Sequence, residues 1–338
     1  MKINIYSASL LLMLGGCTAY AVYTGALARI QSRRAIVVPE NWPTTTGGAA
    51  LDPKIEAQID ALMATMTLEE MVGQTIQADI GTVTPEDVRR YHLGAILNGG
   101  NSAPDNDVRA TPEQWLALAD EFYAASMDTT EGRTAIPTLW GTDAVHGHNN
   151  IVGATIFPHN IGLGATRNPK LIQQIGEVTA QEVLVTGMDW TFAPTLAVTR
   201  DNRWGRTYES YSEEPTIVAD YATAVVTGLQ GELGTDSFLN DQHVIATAKH
   251  FIGDGGTQHG EDQGDNTDSE ANLRDYHGAG YPPALEAGVQ TVMASFSSWH
   301  GAKLHGHKGL LTDVLKQRMG FNGFVVGDWD GHAQVRGC

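Results

Sequence analysis

Seven short apolar runs, at 74–80, 94–97, 137–140, 190–198, 244–248, 291–296 and 323–326, constrain this chain more than any other feature of its sequence. Most of them are continuously apolar. A strand with one wet face alternates apolar and polar residues, so a continuous run calls for burial on both faces, as in a parallel sheet covered by helices. The intervening segments read as those helices. Over 168–187, Asn168 is a capping residue and Pro169 fits the first helical position. Leu171, Ile175 and Val178 recur on one face, and Gly187 supplies the stop. Segments 54–67, 112–127, 215–229 and 309–319 follow the same scheme.

A strand and helix repeat of this kind offers an open doubly wound sheet or a (β/α)8 barrel. The polar residues discriminate between them. The third to seventh runs are followed by Asp143, by Arg203 and Arg206, by Lys249 and His250, by Trp299 and by Asp328. Barrel enzymes draw their sites from the carboxyl ends of several strands, whereas an open sheet concentrates them at one switch point. The expectation is therefore an α/β fold, a (β/α)8 TIM-type barrel. Seven strand signals are visible, and the seventh lies close to the end of the chain, so the barrel is expected to stop short of its last βα unit.

Three regions are expected. Residues 1–17 read as an export signal, with Lys2 ahead of an apolar stretch at 3–14. Leu14-Gly15-Gly16-Cys17 resembles a bacterial lipobox, which makes Cys17 a lipidation site and predicts a periplasmic or outer-membrane-anchored lipoprotein. Cleavage after Ala19-Tyr20-Ala21 and an uncleaved anchor are the alternatives. Residues 18–50, with Pro39, Pro43 and the Thr44-Thr45-Thr46-Gly47-Gly48 stretch, read as a linker, and 51–338 as the folded domain. The formal charge of −18 and the absence of a Lys/Arg cluster disfavour nucleic acid as a partner. Cys17 and Cys338 alone cannot make a disulfide framework.

Asp328 ends Gly323-Phe324-Val325-Val326-Gly327-Asp328, where a buried strand would deliver a carboxylate to the barrel mouth as nucleophile, general base or metal ligand. A helix N-cap is the competing role. Lys249 and His250 offer paired donors for vicinal hydroxyls, and the Gly-rich 253–257 loop that follows suits a shaped site. Asp143 can accept two hydroxyl hydrogen bonds at once. The neighbouring His146 and His148 invite a metal reading of the amidohydrolase kind, but there the H-x-H pair belongs on the first strand, and here it follows the third. No metal and no cofactor is called for. Arg203-Trp204-Gly205-Arg206 sits beside several acidic residues, so one of these Arg is expected in a structural ion pair. Five of the seven Trp, at 140, 190, 204, 299 and 329, lie in or near strand runs, and aromatic faces among Asp, Arg and Lys are what a sugar site requires.

The segments Gly141-Thr142-Asp143-Ala144-Val145-His146-Gly147, Arg203-Trp204-Gly205-Arg206, 249–257 and Gly323 to Trp329 together resemble the N-terminal domain of glycoside hydrolase family 3, in family order. They are most similar to its exo-β-glucanases and β-glucosidases. The resemblance implies that Asp328 is the nucleophile of a retaining enzyme removing β-linked glucose from the non-reducing end of β-glucans or cello-oligosaccharides. It also implies that Asp143, Arg206, Lys249 and His250 hold the glucose, with Arg203, Phe296 and the aromatic wall Trp329 as further substrate-binding residues. Phe296 falls where many relatives carry Tyr. The 251–255 loop departs from the pattern of the family's β-N-acetylhexosaminidases. The acid/base is implied to be a Glu on a second domain, with Glu261 and Asp262 as weak stand-ins here. The alternative is a truncated barrel that binds sugar without turnover.

Overall fold

The computed structural model describes residues 35–45, 48, 51–100 and 102–335. The expected export signal and Cys17 lie outside the described residues. Strands β1 (Gln77–Asp79), β2 (Ala95–Asn98), β3 (Leu139–Thr142) and β4 (Trp190–Thr191) pair side by side in parallel, in sequence order. A second parallel sheet joins β5 (Thr247–Phe251), β7 (Thr291–Ala294) and β10 (Phe324–Val326). A parallel bridge between Trp190 and Ile245 links the two sheets. A small third sheet holds β6 (Asp265–Asn266), β8 (Ser298–Trp299) and β9 (Ala302–Lys303).

The main strands thus follow one another without the order reversal of an open doubly wound sheet, and all seven apolar runs contribute one. The arrangement is an α/β fold of the TIM-barrel type. Among the described residues β1 and β10 do not pair, so the seven staves do not close into a ring. The inner face carries Trp190, Phe192, Met293 and Val326, with Ala95, Leu97, Leu139 and Ile245 packed against them. Inside it the Trp190 indole N–H donates to Thr247 Oγ1 at 2.8 Å and Thr291 Oγ1 at 3.2 Å, which satisfies an otherwise costly buried donor. The larger core lies outside, between sheet and helices.

Several boundaries differ from expectation for local reasons. The 54–67 helix stops at Met63, and a second helix not expected from the sequence, Leu68–Gln74, follows it, started by a capping box of Thr67 and Glu70. In the Pro169–Leu184 helix, Asn168 caps as expected, but the buried stripe is Ile172, Gly176, Thr179, Ala180 and Val183, and Val178 is exposed. Gly176 meets Gly228 of the Pro215–Gln230 helix, and this close small-residue contact lies at the centre of the buried stripe, with Ile175 and Leu184 packed at its margin. The 190–198 run pairs as a strand only over Trp190–Thr191, since Pro194 has no N–H to donate to a ladder. Strand β5 runs past Ala248 to Phe251, so Lys249 and His250 lie within it.

Part of the expected linker is folded against the body. Trp42 is buried, and its indole N–H donates to Glu270 Oε1 at 2.9 Å. Arg318 Nε donates to the Trp42 carbonyl at 2.8 Å, and His307 Nε2 lies 2.9 Å from the Ala35 carbonyl. An apolar side chain of this size cannot stay in a solvated spacer without forfeiting about 2 to 3 kcal/mol of burial.

Candidate active site

Asp143 directly follows β3, Lys249 and His250 lie in β5, and Asp328 comes two residues after β10. Arg206 sits on the long loop between β4 and the Pro215–Gln230 helix. All five therefore come from the carboxyl ends of strands or the loops beyond them. In β5 the register shifts between Ala248 and Phe251, and the Lys249 and His250 side chains both reach one charged cluster instead of opposite faces.

The cluster alternates in charge. Lys249, buried, places Nζ 2.8 Å from Asp143 Oδ1, and the Asp143 side chain remains half exposed. Arg206 donates to Glu209 from Nε at 2.6 Å and from Nη2 at 2.9 Å, a two-pronged pair with fixed geometry. The same Nη2 lies 3.0 Å from His250 Nε2, and His250 Nδ1 is 2.8 Å from Asp254 Oδ2. An acidic partner on Nδ1 and a guanidinium on Nε2 fix the neutral tautomer with its proton on Nδ1. Burial alone would raise the Glu209 pKa, but the Arg206 hydrogen bond and charge overcome this and hold it at about 2. Burial likewise opposes the charge on Arg206, and the pair with Glu209 more than offsets it, so its pKa lies above the ordinary value.

Asp328 is held differently. Its Oδ1 accepts the Trp329 N–H at 2.7 Å, and its own N–H donates to His305 Nε2 at 2.9 Å. Its Oδ2 is buried, has no hydrogen-bond partner among the described residues, and lies 3.8 Å from His250 Nε2. A carboxylate oxygen kept from water and left unpaired is costly unless a ligand atom meets it.

Comparison with known sequences adds the decisive observation: the profile of the glycosyl hydrolase family 3 N-terminal domain matches residues 67–338. The chain belongs to glycosyl hydrolase family 3. A solved structure of the exo-1,3/1,4-β-glucanase ExoP from a Pseudoalteromonas species is 56% identical, with a TM-score of 0.86, over 88% of this family 3 chain and 37% of that one. The lysosomal β-glucosidase of Dictyostelium discoideum is 30% identical over 80% of the chain, and the periplasmic β-glucosidase of Salmonella typhimurium 28% identical over 83%. The chain spans about a third of these curated relatives' length, 35% and 34%.

Not every residue singled out from the sequence joins the cluster of this family 3 chain. The Arg203 side chain faces solvent and pairs with Asp201, Nη2 to Oδ2 at 2.5 Å, so it is the structural member of the Arg pair. Trp299 is buried and donates its indole N–H to the Asp268 carbonyl, as a core residue. Six of the seven Trp are buried, and only Trp329, 58% exposed, presents a face beside Asp328. Packing accounts for the rest of the tryptophan pattern. Phe296 meets the site through His305, the two ring centroids lying 5.7 Å apart.

His146 and His148 diverge. His148 is buried with Nε2 2.9 Å from Thr186 Oγ1, and burial pulls its pKa down to about 4, whereas His146 Nε2 meets His159 Nδ1 at 3.2 Å. Asp262 accepts the Trp204 indole N–H at 3.2 Å, and the Glu261 carbonyl accepts from Thr257. Three members of the site were not singled out from sequence. Glu209 and Asp254 stood inside segments already marked by their charge and Gly content, but His305, in the short turn Leu304–Gly306, carried no signal.

Proposed function

We propose that this chain is the barrel part of a retaining β-glucosidase or exo-β-glucanase that removes glucose from the non-reducing end of β-glucans and cello-oligosaccharides. The observation that carries the reading is the unpartnered, buried Oδ2 of Asp328, set at the end of β10 beside a preassembled array of cations and hydroxyl acceptors. The names of the relatives, a β-glucosidase and an exo-glucanase among them, support the substrate class.

In this reading Asp143 and Lys249 bind adjacent sugar hydroxyls, Arg206 and His250 hold others, and Trp329 packs on a sugar face. Asp328 Oδ2 attacks the anomeric carbon. The bond from that carbon to the aglycone oxygen breaks, its electron pair passes to that oxygen, and a carboxylic acid donates the proton that completes the leaving alcohol. Water then hydrolyses the glycosyl ester, releasing glucose with retained configuration and restoring the carboxylate. Retaining enzymes need the two carboxyl groups about 5 Å apart. Glu209 is held ionised by Arg206, Asp143 is bound to Lys249 and Asp254 to His250, so none of these supplies the proton. The donor in this proposal is a carboxyl outside the cluster.

The test is a 2-deoxy-2-fluoro-β-glucoside with a good leaving group, which forms the glycosyl ester and stalls. Label on the peptide containing Asp328, abolished in Asp328→Asn, supports the proposal; label elsewhere refutes it. We also infer export, on the apolar stretch at 3–14 and the relation to a periplasmic enzyme, with Cys17 as lipid attachment point. A mass shift sensitive to globomycin checks the lipid, and its absence removes that part.

A further inference from the structure

We infer that His305 is a positioning residue for Asp328, clamping the Gly327–Gly331 turn from beneath through an unprotonated Nε2. The inference rests on the proposal that Asp328 is the nucleophile. Asp328 donates its backbone N–H to His305 Nε2 at 2.9 Å, so that nitrogen must be the acceptor and the ring proton sits on Nδ1. The Ser295 backbone acts on the ring in the same sense, favouring a proton on it rather than opposing one. The backbone N–H of Asp328 thus sets the tautomer through Nε2.

The turn is shaped around the imidazole. Gly331 lies so close that an added side-chain carbon would overlap the ring, while one at Gly327 would lie 3.7 Å from it. Gly331 donates its N–H to the Asp328 carbonyl at 2.9 Å, closing the turn, and the Phe296 ring contacts the imidazole as well. The charged or titratable groups near the ring are Asp328, Lys303 and His332. Burial lowers the His305 pKa, with Lys303 and His332 adding to this and Asp328 and the Ser295 hydrogen bond opposing it, which preserves the neutral acceptor form. Without this bond the Asp328 N–H has no hydrogen-bond partner among the described residues, and the carboxylate is oriented by the Trp329 N–H on Oδ1 alone.

The experiment measures how fast a dinitrophenyl 2-deoxy-2-fluoro-β-glucoside labels the chain, by intact mass against reagent concentration. It compares wild type, His305→Gln, which retains an acceptor, and His305→Phe, which fills similar space without one. Misplacing a reacting group by about 1 Å costs roughly 100-fold. The maximal labelling rate is expected to fall about 100-fold in His305→Phe and less than 10-fold in His305→Gln, with the half-saturating concentration changing less than threefold in both. Near-UV circular dichroism checks that each variant folds. If His305→Phe does not fold, nitrogen NMR of the wild-type ring decides: the Nδ1–H tautomer at pH 7 supports the inference and an Nε2–H ring overturns it. Equal rates in all three proteins overturn the inference alone. A wild-type chain that takes no label at Asp328 overturns the nucleophile assignment, and this inference with it.

Discussion

Replacing Glu209 by Gln removes the negative half of the best-formed ion pair near the site and leaves Arg206 charged and largely buried. The Glu209 pKa of about 2 lies well below the ordinary 4.5. At about 1.4 kcal/mol per pH unit the ionised carboxylate contributes on the order of 3 kcal/mol to stability. The independent expectation for breaking a buried pair by removing one partner is about 3 to 5 kcal/mol, so the two routes agree. The pH dependence has a definite sign. A carboxylate whose folded pKa is depressed stabilises fully above the unfolded value and loses that contribution as pH falls through the folded one. The wild-type advantage should therefore hold from pH 7 down to roughly 5, fall to less than about half by pH 3, and vanish below about 2. Urea unfolding of both proteins, followed by Trp fluorescence at pH 7 and pH 3, reads the difference directly. A gap under about 1 kcal/mol at pH 7, or one that is the same at both pH values, refutes the reasoning.

Other expectations can be checked the same way. Gly228→Ala places a side-chain carbon against the Gln173 carbonyl in the contact between the Pro169–Leu184 and Pro215–Gln230 helices, and should cost about 2 kcal/mol in urea unfolding. His148, with a folded pKa of about 4 against 6.5, is kept neutral by burial, so the unfolded chain takes up its proton first. Stability should thus drop by about 3 kcal/mol between pH 6.5 and 4, and His148→Asn should flatten that part of the curve. Gly99→Ala sets a carbon 2.5 Å from the Trp329 ring, and should displace that ring and weaken glucose binding in calorimetry while leaving overall stability nearly unchanged.

The strand and helix order was legible because it depends on pattern: a run buried on two faces looks alike wherever it lies, and all seven produced a main strand. The boundaries were less legible because they depend on single residues, such as the Thr67 capping box and the proline at 194. The buried stripe of the Pro169–Leu184 helix escaped because a glycine lies at its closest approach, and periodicity does not weigh contact distance. In the site, Asp143, Arg206, Lys249, His250 and Asp328 could be picked out by their position after or within strand runs. Position along the chain alone did not separate Arg203 from Arg206; the resemblance favoured Arg206, and the fold shows that the Arg203 guanidinium turns toward solvent. His305 was invisible for a different reason: its role is to receive a backbone N–H from a residue 23 positions away, and no local spacing encodes that.

The uneven exposure of the tryptophans gives this molecule a built-in optical probe. With six indoles sealed in the interior and Trp329 alone open to water, a soluble quencher such as iodide acts chiefly on the ring adjacent to Asp328. A sugar that stacks on this indole over the neighbouring carboxylate, as proposed above, shades it from the quencher. Occupancy of the mouth can thus be followed on the unlabelled chain, through lost quenching, whether or not a bond is cleaved.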